Sequence, residues 1–272
     1  MRKQNDILPQ LFGADSDSWD TAYEREFNNH CDDTEDEGTI WFSESNAEEA
    51  VLRLLNQLEE DDLLSRASSR FLDLGTGNGH LLFTLREEDE DGSSWQGEMV
   101  GVDYSEASVQ LAQRIQKQRQ LAARTSSQTH DAHEQIDGLM DGVLNGQRNE
   151  HLGFEQWDLL NDAPGDWLNA GFDMVLDKGT FDAISLMSHL RFDHETTPHP
   201  CDVYREKVIP LIKPGALLCI TSCNWTKPEL LDWLAPANGE LEYFKEAKYP
   251  TFTYGGKTGQ SIVTIVLRRR RP

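Results

Sequence analysis

Three groups of residues in this chain have the type and spacing to do chemistry on a small molecule. The first is the glycine loop "FLDLGTGNGH", which sets Asp73, Gly75, Gly77 and Gly79 at a turn from strand to helix. Glycines there reach positive φ and let a ligand approach the backbone, and the helix N-terminus offers free N–H groups. The spacing is G-x-G-x-G. A dinucleotide fingerprint would need a glycine at position 80, where His80 stands, so a nicotinamide dehydrogenase is disfavoured. The second group is two acids closing later strands. Asp103 in "GVDYS" is placed to accept from two ribose hydroxyls, and Asp158 in "QWDLL" to meet an adenine amino group. Singly each has a plainer role: Gly75 as a turn, Asp103 as the cap of a helix opening at "SEAS". Together, three acids ending three successive strands describe a nucleoside cradle, and with no Lys or Arg on the loop the ligand carries no phosphate. The third group is "VLDKGTFDAI", where a buried strand runs straight into Asp177, Lys178 and Gly179.

These residues need a scaffold that brings strand ends together. "RFLDLG", "EMVGVDY", "LGFEQWDLL", "FDMVLDK", "ALLCITSC" and "SIVTIVLRR" read as strands. "HLLFTLREE", "SEASVQLAQRIQKQRQ", "DAISLMSHL", "VYREKVIPLI" (stopping at "KPG") and "TKPELLDWL" read as helices between them. That alternation predicts an α/β fold, a mostly parallel sheet with helices on both faces. Ahead of it, "NAEEAVLRLLNQLEEDDLL" has helical spacing after a cap at Ser45 or Asn46. The acidic N-terminus carries Trp19, Tyr23, Phe27, Trp41 and Phe42, too many aromatics for a free tail, so residues 1–45 are expected to dock on the core. Residues 118–150 are polar and far longer than an ordinary connection, and read as a flexible insertion with solvated histidines at His130 and His133.

Composition excludes several classes. A net charge of -23, from 25 Lys and Arg against 48 Asp and Glu, argues against nucleic acid and suits a basic partner. The run Arg268–Arg271 reads as a solvated tail, with a weak nuclear signal as the other reading. Cys31, Cys201, Cys219 and Cys223 have no disulfide-framework spacing, and no signal peptide is apparent, so reduced thiols in the cytoplasm are expected, the nucleus remaining open. His194, His199 and Cys201 lack paired tetrahedral spacing, so no metal is expected. No apolar run is long enough to span a membrane.

The glycine motif and the strand-end acids resemble the seven-strand S-adenosylmethionine-dependent methyltransferases over roughly residues 70–267. "WDTAYEREFNN", "DEGTIWF", "LDLGTGNG", "VLDKGTFDAISL", "VIPLIKPGALLCITSCNWT" and "GGKTGQSIVTIV" together resemble more closely the family that methylates a lysine of translation elongation factor 1-alpha. The 118–150 segment departs from that family's compact pattern. The resemblance implies a Rossmann-like sheet with "SIVTIVL" inserted as the antiparallel strand, and a methyltransferase domain over residues 46–272. It implies that Asp73, Gly75 and Gly77 cradle the methionine end of S-adenosylmethionine, Asp103 its ribose, and Asp158 with Leu159 its adenine. Tyr104 would stack on the adenine or be an ordinary strand-end ring. Asp177 would border the cofactor and act at the lysine. Gly179 and Thr180 would admit the substrate side chain. Trp41 and Phe42 would wall the lysine channel or staple the N-terminal segment.

Transfer to lysine needs a neutral amine, and removing the proton at pH 7 costs roughly 4–5 kcal/mol for a pKa near ~10.4. A carboxylate beside the ammonium would oppose this. A sulfonium ~4 Å away at an effective dielectric of ~20 favours it by about 4 kcal/mol. Asp177 is therefore expected to position the lysine rather than act as a strong base, while Lys178 reads as a structural ion pair. The expected enzyme is a monomer with a protein substrate. A methyltransferase for another protein or a small molecule, and a non-catalytic cofactor-binding scaffold, are the alternatives.

Overall fold

A computed structural model describes residues 16–89, 92–130, 151–191, 199–254 and 257–272. The chain opens with helix α1 (Ser16–Asp32) and α2 (Ala47–Glu60), joined by a segment that includes a short 3-10 turn at Ser43–Ser45. The alternating part follows: β1 (Phe71–Leu74), α3 (His80–Arg86), β2 (Met99–Asp103), α4 (Glu106–His130), β3 (Leu152–Gln156), β4 (Phe172–Lys178), α5 (Thr180–Arg191), α6 (Pro200–Val208), β5 (Ile212–Ser222) and α7 (Lys227–Leu234). The C-terminal part adds β6 (Leu241–Glu246), a small β7–β8 hairpin (Phe252–Tyr254 and Lys257–Gly259) and β9 (Val263–Arg269).

The main sheet has seven strands in the order β3-β2-β1-β4-β5-β9-β6. Strands β1 to β5 pair in parallel, and β9 inserts antiparallel between β5 and β6. This is the mostly parallel sheet that the alternation predicted, with the antiparallel insertion that the resemblance implied. Strands β1 and β2 are buried at every position, because both faces are covered. Successive residues serve opposite faces. Leu72, Val100 and Val175 pack with Phe181, Tyr204, Val208 and Leu230 from α5, α6 and α7. Phe71, Met99 and Met174 pack with Leu54, Leu58, Leu82 and Leu111 from α2, α3 and α4.

Two expectations differ from what is found. Helix α4 runs on to His130, so the first part of the segment read as an insertion is helical; residues 131–150, with His133, lie outside the described residues, as does His194. The "KPG" break is absorbed into β5, where the pairing with β4 jumps from Ile212 to Leu217, so Pro214 and Gly215 sit in the irregularity. His199 stacks on Trp233 with ring centroids 4.6 Å apart and accepts from the Cys201 amide through Nδ1, so it caps α6.

Candidate active site

Chain order reverses between β1 and β4, which lie side by side in the middle of the sheet, and a crevice opens beyond their carboxyl ends. One wall is the glycine loop. Gly75 and Gly77 have φ of 63° and 58°. At Gly77 a side chain would also collide, since its Cβ would lie 2.7 Å from the Tyr23 hydroxyl of α1. Beneath the loop, Asp73 is buried and accepts from the Thr76 hydroxyl at 2.8 Å. Burial pushes its pKa up to about 7, against the pull of Thr76 and Lys178. Asp103 accepts from the Gly77 and Ser105 amides, both at 3.0 Å, so it pins the loop from the end of β2; burial raises its pKa too.

A cavity of ≈ 240 Å³ follows this edge of the sheet. Tyr104, Asp158, Leu159 and Asn161 line it beyond β2 and β3, Gly75 beyond β1, and Lys178, Gly179 and Thr180 beyond β4. Trp19 and Tyr23 of α1 and the Trp41–Phe42 turn complete the wall, with Trp19 edge-on to Trp41 at 5.0 Å. Phe42 is buried at φ 63°, a left-handed conformation that a bulky residue adopts only under constraint. Gly179 at φ 91° makes room for it: a Cβ there would lie 3.1 Å from the Phe42 ring.

Asp73, Gly75, Gly77, Asp103, Tyr104, Asp158, Leu159, Trp41, Phe42, Gly179 and Thr180 thus all line this cavity or the smaller one joined to it. Besides Asp73 and Asp103, two more of them are already engaged. Asp158 accepts from the Leu160 amide at 2.8 Å and from the Asn161 side chain at 2.7 Å, holding the turn after β3. The Thr180 hydroxyl donates to the Leu74 carbonyl at 2.7 Å and ties the start of α5 to the end of β1.

Asp177 corrects the expectation that it faces an incoming lysine. It is 1% exposed and lines neither cavity. Its carboxylate accepts from the Thr180 amide at 3.0 Å, the Phe181 amide at 3.1 Å and the Tyr204 hydroxyl at 2.7 Å. It caps α5 from below. Burial pushes its pKa up to about 7, resisted by these hydrogen bonds. Asp182, in the first turn of α5, accepts from the Ser222 hydroxyl and the Cys223 amide and so fixes the loop after β5.

The sequence reading missed the wall formed by Trp19 and Tyr23, which it assigned only to docking, and the chain of charges behind Lys178. Glu48 of α2 accepts from His80 Nδ1 at 2.7 Å and lies 3.5 Å from Lys178 Nζ, which also donates to the Trp41 carbonyl at 3.2 Å. Burial pushes Glu48 up, but the His80 hydrogen bond and the Lys178 charge outweigh it and leave its pKa lowered. The visible signal for the wall was the four-residue spacing of Trp19 and Tyr23, one helical turn, in an otherwise polar helix.

The arrangement can hold a nucleoside between the acids of β2 and β3, and a small charged group beside Asp73 and Lys178. Residues 65–145 match the family described as "Methyltransferase domain". The chain is 33% identical over 263 residues to the protein-lysine N-methyltransferase efm4 of Schizosaccharomyces pombe, covering 96% of this chain and 95% of that one. It is 35% identical over 247 residues to EFM4 of Saccharomyces cerevisiae (91% and 90% covered). It is 33% identical over 267 residues to EEF1A lysine methyltransferase 2 of Danio rerio (98% and 91%). With such identity along nearly its whole length, N-terminal wall included, the chain belongs to the EFM4 and EEF1A lysine methyltransferase 2 family of protein-lysine N-methyltransferases.

Proposed function

We propose that this chain transfers methyl groups from S-adenosylmethionine to a lysine of elongation factor 1-alpha. The observation that carries the reading is the cavity itself. It runs along the strand ends from Asp103 and Asp158 to the turn at Lys178 and Gly179, and rings rather than carboxylates wall the far end. Its residues fit the cofactor: acids for the ribose and adenine, positive-φ glycines for close backbone approach, and a polar recess at Asp73 for an amino-acid group. When bound, S-adenosylmethionine supplies the methyl group and a positive charge on sulfur.

The protein residues then have three tasks. Asp103 holds the glycine loop and offers its remaining lone pairs to the ribose. Trp19, Trp41 and Phe42 exclude water from the transfer site and present ring faces to the incoming side chain. Apart from Asp103 and Asp158, no carboxylate among the described residues lines the larger cavity. The substrate ammonium therefore meets no strong anion beside Gly179, which favours loss of its proton. Asp177 acts through α5, whose first turn it caps, so that Gly179 and Thr180 stay in place.

Incubation with labelled S-adenosylmethionine and purified elongation factor 1-alpha, followed by peptide mass spectrometry, tests the reading. Methyl-lysine in that protein is the expected result, and its absence while another protein or a small molecule becomes labelled would overturn the substrate assignment.

A further inference from the structure

Past Tyr23, Trp41, Gly75 and Lys178, the larger cavity meets a smaller one bounded by Glu48, Asp73, Thr76 and Asn78. The two differ in kind. The larger is walled mostly by rings and aliphatic groups, whereas the smaller gathers two carboxylates and one ammonium. Lys178 is the only Lys or Arg lining either cavity among the described residues, and its side chain is 13% exposed.

That ammonium shares its anion with another group. Glu48 gives its short contact, 2.7 Å, to His80 and stands 3.5 Å from Lys178. The other partner of Lys178 is the neutral Trp41 carbonyl. An ammonium has three donors, and with one on the Trp41 carbonyl and one toward a carboxylate that His80 also engages, a third is left for a ligand. Opposite it, Asp73 has the Thr76 hydroxyl and no cation of its own within hydrogen-bond reach among the bonds of the described residues. A carboxylate with no hydrogen-bonded cation and an ammonium with a donor to spare, both lining one small recess, match an α-amino-acid zwitterion.

We propose that Lys178 binds the carboxylate of the cofactor's amino-acid end, with Asp73 taking its ammonium, and that Lys178 thereby determines selectivity for the intact cofactor over nucleosides lacking that end. The assignment rests on the S-adenosylmethionine reading above. It has a structural corollary. The Lys178 ammonium also holds the Trp41 carbonyl, so a carboxylate arriving there fixes the turn that walls the larger cavity. A ligand without the carboxylate fills the nucleoside end and leaves that turn held by the protein alone.

The test is a binding cycle by calorimetry on the full chain. S-adenosylhomocysteine is compared with 5′-methylthioadenosine, which lacks the amino-acid end, in the unaltered protein and in Lys178→Met. The variant is expected to weaken S-adenosylhomocysteine by about tenfold or more, in line with loss of a charge-assisted contact. The Kd of 5′-methylthioadenosine should stay within about twofold. Melting curves without ligand report folding, and Lys178→Gln, which keeps a donor for the Trp41 carbonyl, replaces the Met variant if that one melts below the assay temperature. An unchanged ratio of the two affinities, or equal weakening of both ligands in a folded variant, overturns the proposal. Binding of neither ligand by the unaltered protein overturns the cofactor reading, and this assignment with it.

Discussion

Truncating Asp177 would leave the Tyr204 hydroxyl and the Thr180 and Phe181 amides facing a buried gap. Asp177→Ala is therefore expected to cost about 2–4 kcal/mol of stability, read from the denaturant midpoint. Asp177→Asn keeps an acceptor for the amides and can donate to Tyr204, so kcat should stay within about fivefold of the unaltered enzyme if capping is its task. A loss of several orders of magnitude in a folded Asn variant would return Asp177 to the chemistry. The acid's environment also sets a pH signature. Its pKa rises from 3.8 to about 7 on folding. Between those values the folded chain keeps a proton that the unfolded chain releases, so this group's contribution to stability declines as pH rises through that window and levels off above it. Asp73 shares the shift, and its neighbourhood changes when a ligand ammonium arrives. Near pH 6, binding of S-adenosylhomocysteine is then expected to release a proton, making the calorimetric enthalpy depend on the buffer, and Asp73→Asn should abolish the dependence. Buffer-independent enthalpy in the unaltered protein would argue against an ammonium beside Asp73.

At the scale of elements, the crevice depends on a helix–turn pair packed across strand ends. Gly179→Ala would put a methyl group against the Phe42 ring at a φ that alanine tolerates poorly. About 1–2 kcal/mol of stability should be lost, and because Phe42 must move, KM for the protein substrate should rise more than the Kd for the cofactor. Unequal legibility of the elements has physical causes. Strands β1, β2 and β4 announce themselves because burial on both faces demands continuous apolar runs, and the acids at their carboxyl ends stand out within those runs. Strand β6, "LEYFKE", stayed hidden because it is an edge strand with a register irregularity and mostly exposed side chains. Helix α4 extends through residues whose polarity signals exposure and says nothing against helix. Trp41 was legible as a wall residue, but the part formed by Trp19 and Tyr23 left only its helical spacing in the chain, because it takes shape when α1 is packed along α4 and over the glycine loop.

For the whole molecule the dominant number is the net charge of -23. A basic protein substrate would be drawn in from beyond contact distance, whereas Asp73, Asp103 and Lys178 at the crevice are mostly buried and their charges are screened less. Raising salt from about 50 to about 300 mM is expected to raise KM for the protein substrate several-fold while leaving the Kd for S-adenosylhomocysteine within about twofold. A salt-insensitive KM would mean that the surface charge plays no part in encounter.

The segment between α1 and Trp41 is fastened in a particular way. His30 donates to the Asp36 carbonyl, Asn78 to the Glu37 carbonyl and Gln118 to the Thr34 carbonyl. These clamps grip main-chain atoms, which every amino acid supplies alike. Evolutionary drift in the acidic run should therefore cost little at those positions, with selection falling on His30, Asn78 and Gln118, which lie outside it. Two positions are exceptions: Asp36, whose carboxylate accepts from the Gly38 amide at 3.1 Å, and Glu37, paired with Arg119 at 2.5 Å in a side-chain contact whose two members should change together or not at all.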